Sequence, residues 1–198
     1  MDASINYREG DIHLNLNELF NKEKERRNWQ DPEGTLKRIG LSECHYFADI
    51  GCGYGFFSIP AAKIVGEKGK IYAVDKNPEA ISIVKKRLNK ESLNAELVTG
   101  MAEETLFCEK CMDIVFFSIV LHDFADIPKV LENSRKMIKN DGTLVNIDWK
   151  KIHLDKGPPY SKKFSVEKAK SLIKNAGFNV KDVRNDSELL YTIIADPA

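Results

Sequence analysis

No apolar stretch in the 198 residues approaches the ~18–20 that a membrane-spanning helix needs, and the opening MDASINYREGD lacks the apolar core of an export signal. A membrane partner is therefore not expected, and the default localisation is cytoplasmic. Neither charge sign is in excess: thirty Lys and Arg balance thirty Asp and Glu, which disfavours a globally basic nucleic-acid binder. Cysteine is scarce, with four in the chain. In a cytosolic protein of this size Cys44, Cys52, Cys108 and Cys111 read as free thiols, not as a disulfide framework. Internal repeats and low-complexity tracts are also missing. What remains is a chain long enough for one domain plus a small appendage, at roughly 100–200 residues per domain. Such a chain can bury a core without staples.

Residues 1–40 are polar and rich in Asn, Glu, Lys and Arg. FNKEKERRNWQDPEGTLKRIG reads as one or two short helices around a break at Asp31-Pro32, so 1–40 is expected to form a helical extension or lid and 41–198 the main domain. From Tyr46 the pattern becomes an alternation of apolar runs and amphipathic segments. YFADI is followed by GCGYG and a helix from about Phe56 to Val65. KIYAVD leads to Asn77-Pro78 and a helix to about Leu88. AELVTG and MDIVFFSIV are the next strands, the second apolar enough to be buried on both faces. DIPKVLENSRKMIKN reads as a helix ending at Asp141-Gly142, and GTLVNIDW as strand five. The helix SVEKAKSLIKNAG and two last strands, FNVKDVRN and LLYTIIAD, close the chain. This order predicts an α/β fold: a doubly wound, seven-stranded, mostly parallel sheet, Rossmann-like, with an antiparallel final strand. The antiparallel ending is required because a short connection cannot make a parallel crossover.

Asp49-Ile50-Gly51-Cys52-Gly53-Tyr54-Gly55 is the strongest local signal. Glycines at alternate positions permit a tight turn and close approach of a ligand to the backbone, and the following helix offers unpaired N–H groups. The spacing is G-x-G-x-G, and Asp49 sits two positions before the first glycine. A carboxylate there would repel a pyrophosphate, so the expected ligand carries a cationic amino-acid part. Asp75 ends strand two, 24 positions after Gly51, where an acid can accept hydrogen bonds from ribose hydroxyls. Lys76 follows it. The alternative is an ordinary turn beside a solvated aspartate.

DIGCGYG and Asp75 together resemble the first motif and the ribose-binding acid of class I S-adenosylmethionine-dependent methyltransferases. TGMAEET, Thr99 to Thr105, resembles the third motif, whose residues flank the adenine. Met101 stands where many members carry Asp, which leaves it to pack against the ring, with Ala102 and Glu103 supplying polar contacts. MDIVFFSIVLHDF and MIKNDGTLVNIDW resemble the fourth motif and the segment before strand five. The resemblance runs from about Tyr46 to Ala195. It is strongest to the small-molecule branch that includes ubiquinone/menaquinone-type enzymes, the methyltransferase type 11-like group. It implies S-adenosyl-L-methionine as cofactor, held by Asp49, Gly51, Cys52, Gly53, Tyr54, Gly55, Asp75, Lys76, Met101, Ala102, Glu103 and Ser118. It also implies a transferase acting on a small-molecule methyl acceptor. A homodimer is left open.

Methyl transfer from a sulfonium is an in-line displacement, so positioning matters most. A base is needed only if the acceptor loses a proton early. His122, in the loop after strand four, and Asp148, ending strand five, are the candidate catalytic residues, against capping or packing roles. Asp123 reads as an N-cap. Tyr54, Trp29 and Tyr7 are candidate lid aromatics, with a core role open for Trp29, while Arg26 and Arg27 read as a solvated helix face. GPPY, 157–160, resembles the motif of amino-methylating nucleic-acid enzymes but follows strand five instead of ending strand four, so it reads as a stiff loop. Cys44, His45, Cys108 and Cys111 all precede neighbouring strands at the edge opposite the cofactor. A zinc site or disulfide there is the alternative to free thiols, and no metal is expected at the active site. Competing readings are an RNA or protein methyltransferase, an NAD-dependent oxidoreductase on the same kind of sheet, and a non-catalytic S-adenosylmethionine binder.

Overall fold

A computed structural model describes residues 16–154 and 157–198. The chain divides into two compact units, the first ending at Asp31 and the second running from Pro32 to Ala198. In the first unit, helix α1 (Leu16–Arg27) ends in Lys24, Arg26 and Arg27, cations suited to a helix C-terminus. Arg26 Nε donates to Gln30 Oε1 at 2.8 Å, and its guanidinium lies over the Trp29 ring. Tyr7 lies outside the described residues.

The second unit opens with the short helix α2 (Pro32–Arg38) and then alternates: β1 (Tyr46–Ile50), α3 (Ser58–Val65), β2 (Lys70–Asp75), α4 (Pro78–Lys90), β3 (Ala95–Thr99), β4 (Met112–Ser118), α5 (Ile127–Met137), β5 (Ile138–Trp149), α6 (Val166–Asn175), β6 (Phe178–Arg184) and β7 (Leu190–Pro197). The strands form one sheet in the order β3-β2-β1-β4-β5-β7-β6. The first five are parallel, and β7 pairs antiparallel with both β5 and β6. The predicted fold class and its antiparallel ending are thus observed.

Local sequence explains the elements. Asn77 caps α4, its side chain accepting from Glu79 N at 2.9 Å, with Pro78 at the first turn where its missing N–H costs nothing. Asp126 and Ser165 cap α5 and α6 in the same way. Asp123, expected to cap a short turn, is instead the last residue of the single 3-10 turn Leu121–Asp123, whose N-cap position is Val120. β4 is buried on both faces: Phe116 packs with Phe47 and Phe57 on one side, while Phe117 joins Leu144, Tyr191 and Ile193 beneath α5 and α6 on the other.

The helix before strand five is shorter than expected. It stops at Met137, not near Asn140, and β5 begins at once with Ile138, which pairs with Met112. Ile138 is β-branched and fully buried, so packing against β4 outweighs the helical pattern. The register shifts between Met112 and Ile114, and Lys139 Nζ meets the Asp113 carboxylate at 2.6 Å beside this irregularity.

Cys108 and Cys111 are joined as a disulfide, which corrects the expectation of free thiols for this pair. The Cys111 side of this turn is anchored by the hydrogen bonds of Lys110 N and Cys111 N to the end of α5. Cys44 is exposed and free, and His45 is engaged by Ser42 at 2.9 Å. Among the described residues no three His, Cys, Asp or Glu side chains are grouped to hold a metal. Burial raises the pKa of the Cys52 thiol far above its usual value, reinforced by the Asp49 and Asp75 carboxylates. Alkylation of the native, unreduced protein is accordingly expected to label Cys44 and spare Cys52, with Cys108 and Cys111 joining only after reduction. Peptide mass mapping reads this directly.

Candidate active site

β1 pairs with β2 on one side and β4 on the other, so the sheet reverses direction of growth between β1 and β4. Ligands in such sheets bind beyond the carboxyl ends of the strands at this point. A cleft opens there. Gly51 comes from the loop after β1, Asp75 and Lys76 from the end of β2, and Met101, Ala102 and Glu103 from the turn after β3. Val120, Asp123 and Phe124 come from the loop after β4.

The glycine loop is set by backbone bonds and by empty space. Gly51 N and Cys52 N donate to Val74 O at 2.8 and 3.0 Å, tying the loop to β2. Gly51 has φ +74°, and a Cβ there would lie 2.5 Å from Val120 Cγ2, so glycine is demanded by the neighbouring loop. Gly53 has φ +52°, and a Cβ there would meet no protein atom within 4 Å. Its surroundings are open, which is the condition for a ligand to approach the backbone. Cys52 is buried, and its side chain turns back to the Gly53 carbonyl.

Both oxygens of Asp75 are oriented by the backbone: Oδ2 accepts from Gly53 N at 2.8 Å and Oδ1 from Asn77 N at 2.9 Å. Each oxygen keeps acceptor capacity for a further donor. Asp49 is buried, and its Oδ2 accepts from the Ser58 hydroxyl at 2.6 Å, a contact that anchors the first turn of α3. Tyr54 is half-buried, and its hydroxyl pKa is raised by burial and then by Glu79. Its carbonyl accepts from Arg87 of α4.

At the other end of the cleft Met101 is 40% exposed, giving an apolar surface on the rim. Glu103 Oε1 accepts from Ala125 N and Asp126 N at 3.0 and 3.3 Å, bridging the turn after β3 to the start of α5. Its Oε2 is buried without a hydrogen-bond partner. A buried carboxylate oxygen in that state is costly unless a ligand donor reaches it. The sequence indicated Glu103 but not this tether, because its partners lie more than twenty residues away.

Ser118 ends β4, and the next residue, Ile119, has φ +59°, an unusual conformation for a β-branched residue. His122 and Asp148, chosen separately from the sequence, are brought together. His122 Nδ1 lies 2.8 and 3.0 Å from the two carboxylate oxygens, and both side chains are only 2% exposed. The carboxylate faces the histidine, not the open cleft. Asp148 Oδ1 also accepts from Trp149 N. His122 Nε2 points towards Asp123, a cleft-lining residue, at 3.6 Å. Burial lowers the His122 pKa, but the hydrogen bond and charge of Asp148 and the charge of Asp123 outweigh it, and the net shift is upward. With Nδ1 facing the Asp148 carboxylate the proton is placed on that nitrogen, and Nε2 is the one turned towards Asp123. The pairing spans 26 residues, and no spacing rule in the sequence announces it. GPPY lies in the loop beyond β5, with Gly157 packed on the Trp149 ring, as expected of a structural loop.

A sheet of this strand order with a glycine loop and an acid at its switch point defines the nucleotide-binding α/β class. Comparison narrows it. A family profile described as a methyltransferase domain matches residues 46–194. The crystal structure of a SAM-dependent methyltransferase from Aquifex aeolicus superposes with a TM-score of 0.83 at 30% identity, covering 90% of this chain and 98% of that one. A probable cobalt-precorrin-6B C(15)-methyltransferase (decarboxylating) from Sulfolobus acidocaldarius is 38% identical over 111 residues, 54% of this chain and 58% of its own length. A demethylmenaquinone methyltransferase from Oceanobacillus iheyensis is 31% identical over 123 residues, 62% of this chain and 51% of its own. The matches thus span little more than half the length of these curated relatives. The chain belongs to the S-adenosylmethionine-dependent methyltransferases.

Proposed function

We propose that this chain transfers a methyl group from S-adenosyl-L-methionine to a small-molecule acceptor. The observation that carries the reading is the Asp75 carboxylate, fixed by two backbone N–H groups beside a glycine loop with open space at Gly53. The donor set fits the cofactor end to end. Asp75 is arranged to accept from the two ribose hydroxyls. The unpartnered Glu103 Oε2 suits the adenine amino group, and Met101 the face of the ring. The loop from Gly51 to Gly55, with Asp49 behind it, suits the amino-acid tail.

S-adenosylmethionine, when bound, supplies a methyl group already activated on sulfur. The protein's work is then to orient the acceptor and, where needed, to remove its proton. His122 Nε2 is the group for that proton, with Asp148 holding Nδ1–H and stabilising the imidazolium that results. A nicotinamide dinucleotide fits less well, since the buried Asp49 carboxylate behind the loop disfavours a diphosphate lying against it. Calorimetry with S-adenosylhomocysteine and with NADH tests the choice: binding of the first without the second is expected, and the reverse result would overturn the proposal. Asp75→Ala is expected to weaken S-adenosylhomocysteine binding by about 1.5–3 kcal/mol, the range for lost hydrogen bonds to a charged group. An unchanged dissociation constant would remove Asp75 from the ribose site.

A further inference from the structure

The connection from β5 to α6 concentrates positive charge at the carboxyl edge of the sheet. Its sequence from Lys150 to Phe164, KKIHLDKGPPYSKKF, holds five lysines and one aspartate. Among the described residues, Lys162 is the one of these lysines facing a carboxylate, that of Asp123 at 3.6 Å. Lys150 Nζ donates to the Ser187 carbonyl and Lys163 Nζ to the Ile152 carbonyl. Lys151 sits 5.3 Å from the centre of the Tyr160 ring. Carbonyls and rings orient an ammonium without neutralising it, so Lys150, Lys151 and Lys163 keep their charge among the described residues.

Lys163 is the sharpest case. It is 2% exposed and lies 5.8 Å from the centre of the Trp149 ring, with no ion pair among the described residues. Lysine is rarely buried so completely without a paired anion, because an ammonium removed from water is strongly destabilised until one is supplied. The segment also runs beside the site already described. Asp123, the partner of Lys162, lines the cleft, and the Phe164 ring meets the His122 ring edge-on at 6.5 Å. At the outer part of the loop the His153 and Tyr160 rings stack at 4.4 Å and 6°, leaving Tyr160 exposed. Cations and a flat aromatic face therefore share one short segment.

We propose that the methyl acceptor is a small molecule carrying an oxyanion, a carboxylate or phosphate, next to a planar ring, and that Lys163 and Lys151 determine this specificity. The proposal rests on the methyltransferase reading. The lysines raise the local concentration of an anionic acceptor. Lys163 receives the anion on the inner side, and the exposed Tyr160 ring, 5.3 Å from Lys151 Nζ, offers the planar face. A nucleic acid would be drawn by the same charges, but its phosphates are gripped by exposed side chains, whereas the decisive ammonium here is enclosed.

The test uses the full chain saturated with S-adenosylhomocysteine and titrated by NMR with phenyl phosphate, benzoate and the neutral benzamide. The two anions are expected to bind, and their relative affinities separate phosphate from carboxylate. Benzamide is expected to bind at least about tenfold more weakly, the effect of losing a charge-assisted hydrogen bond. Lys163→Met and Lys151→Met should each weaken anion binding, while Lys163→Arg should retain it and none should alter S-adenosylhomocysteine affinity. Equal binding of benzoate and benzamide, or anion affinity unchanged in both methionine variants, overturns the proposal. Should Lys163→Met not fold, the exposed Lys151→Met carries the test. An oligouridylate RNA that displaces phenyl phosphate and accepts labelled methyl overturns the small-molecule assignment. Failure of S-adenosylhomocysteine to bind overturns the methyltransferase reading instead, while the anion titrations still report on the lysines.

Discussion

Gly53→Val is expected to abolish S-adenosylhomocysteine binding while the protein still folds. The Cβ of a side chain there would meet no protein atom within 4 Å, so nothing in the fold resists the atom itself. The space it enters is the one a ligand must occupy to lie against the loop. The left-handed backbone, with φ +52°, adds a cost of roughly 1–2 kcal/mol for a residue bearing a Cβ. That strain also pulls the Gly53 N–H from Asp75 Oδ2, loosening the carboxylate. Gly51→Ala is the contrast. Its Cβ would sit 2.5 Å from Val120 Cγ2, so the loop and the segment after β4 must separate, and the loss appears first in stability. Thermal melting beside calorimetry distinguishes the two: a modestly lowered Tm with no binding for the first, a large drop in Tm for the second. Near-normal affinity in Gly53→Val would refute the placement of the ligand against this loop.

His122→Asn is expected to lower the rate of methyl transfer by on the order of 10²–10⁴-fold, the usual contribution of a positioned general base, with S-adenosylhomocysteine affinity unchanged. The assay is incorporation of labelled methyl into a small-metabolite extract. pH dependence separates a base from a packing residue. The base form of His122 is neutral, and its pKa is raised above 6.5, so the rate should climb through a limb lying above that value. In Asp148→Asn the charge that raises the pKa is gone and burial, which lowers it, remains, so the limb should move to lower pH. A purely structural histidine would give variants with reduced stability and no displaced limb. The stability effect has the opposite pH sense. Folding raises this pKa, so the His122–Asp148 pair stabilises the fold fully below 6.5 and loses that contribution as pH rises through the folded-state value.

Much of the candidate site was legible because its members lie in one strand–turn–helix frame. Gly51, Gly53 and Asp75 are fixed by short-range requirements: a turn that needs positive φ, and an acid at the end of the next strand. The alternation of apolar runs with capped helices likewise announced the sheet, since Asn77-Pro78 and Ser165 start helices by local hydrogen bonding alone. The end of α5 departs from the sequence pattern where local periodicity and burial disagree. KMIKN continues a helical period, yet Ile138 is taken by its partner Met112.

The sequence by itself determined the alternating architecture, the glycine loop and the carboxylate that follows it, because each depends on residues close in the chain. Tertiary structure alone decided that His122 faces Asp148, that Glu103 braces the start of α5 with one oxygen left over, that Cys108 and Cys111 are joined, and that Lys163 is enclosed against Trp149. Apart from the disulfide, whose two cysteines share one connection, these are meetings of residues well separated in the chain. They follow from where the sheet delivers its strand ends, a property of strand order and register that no local spacing encodes.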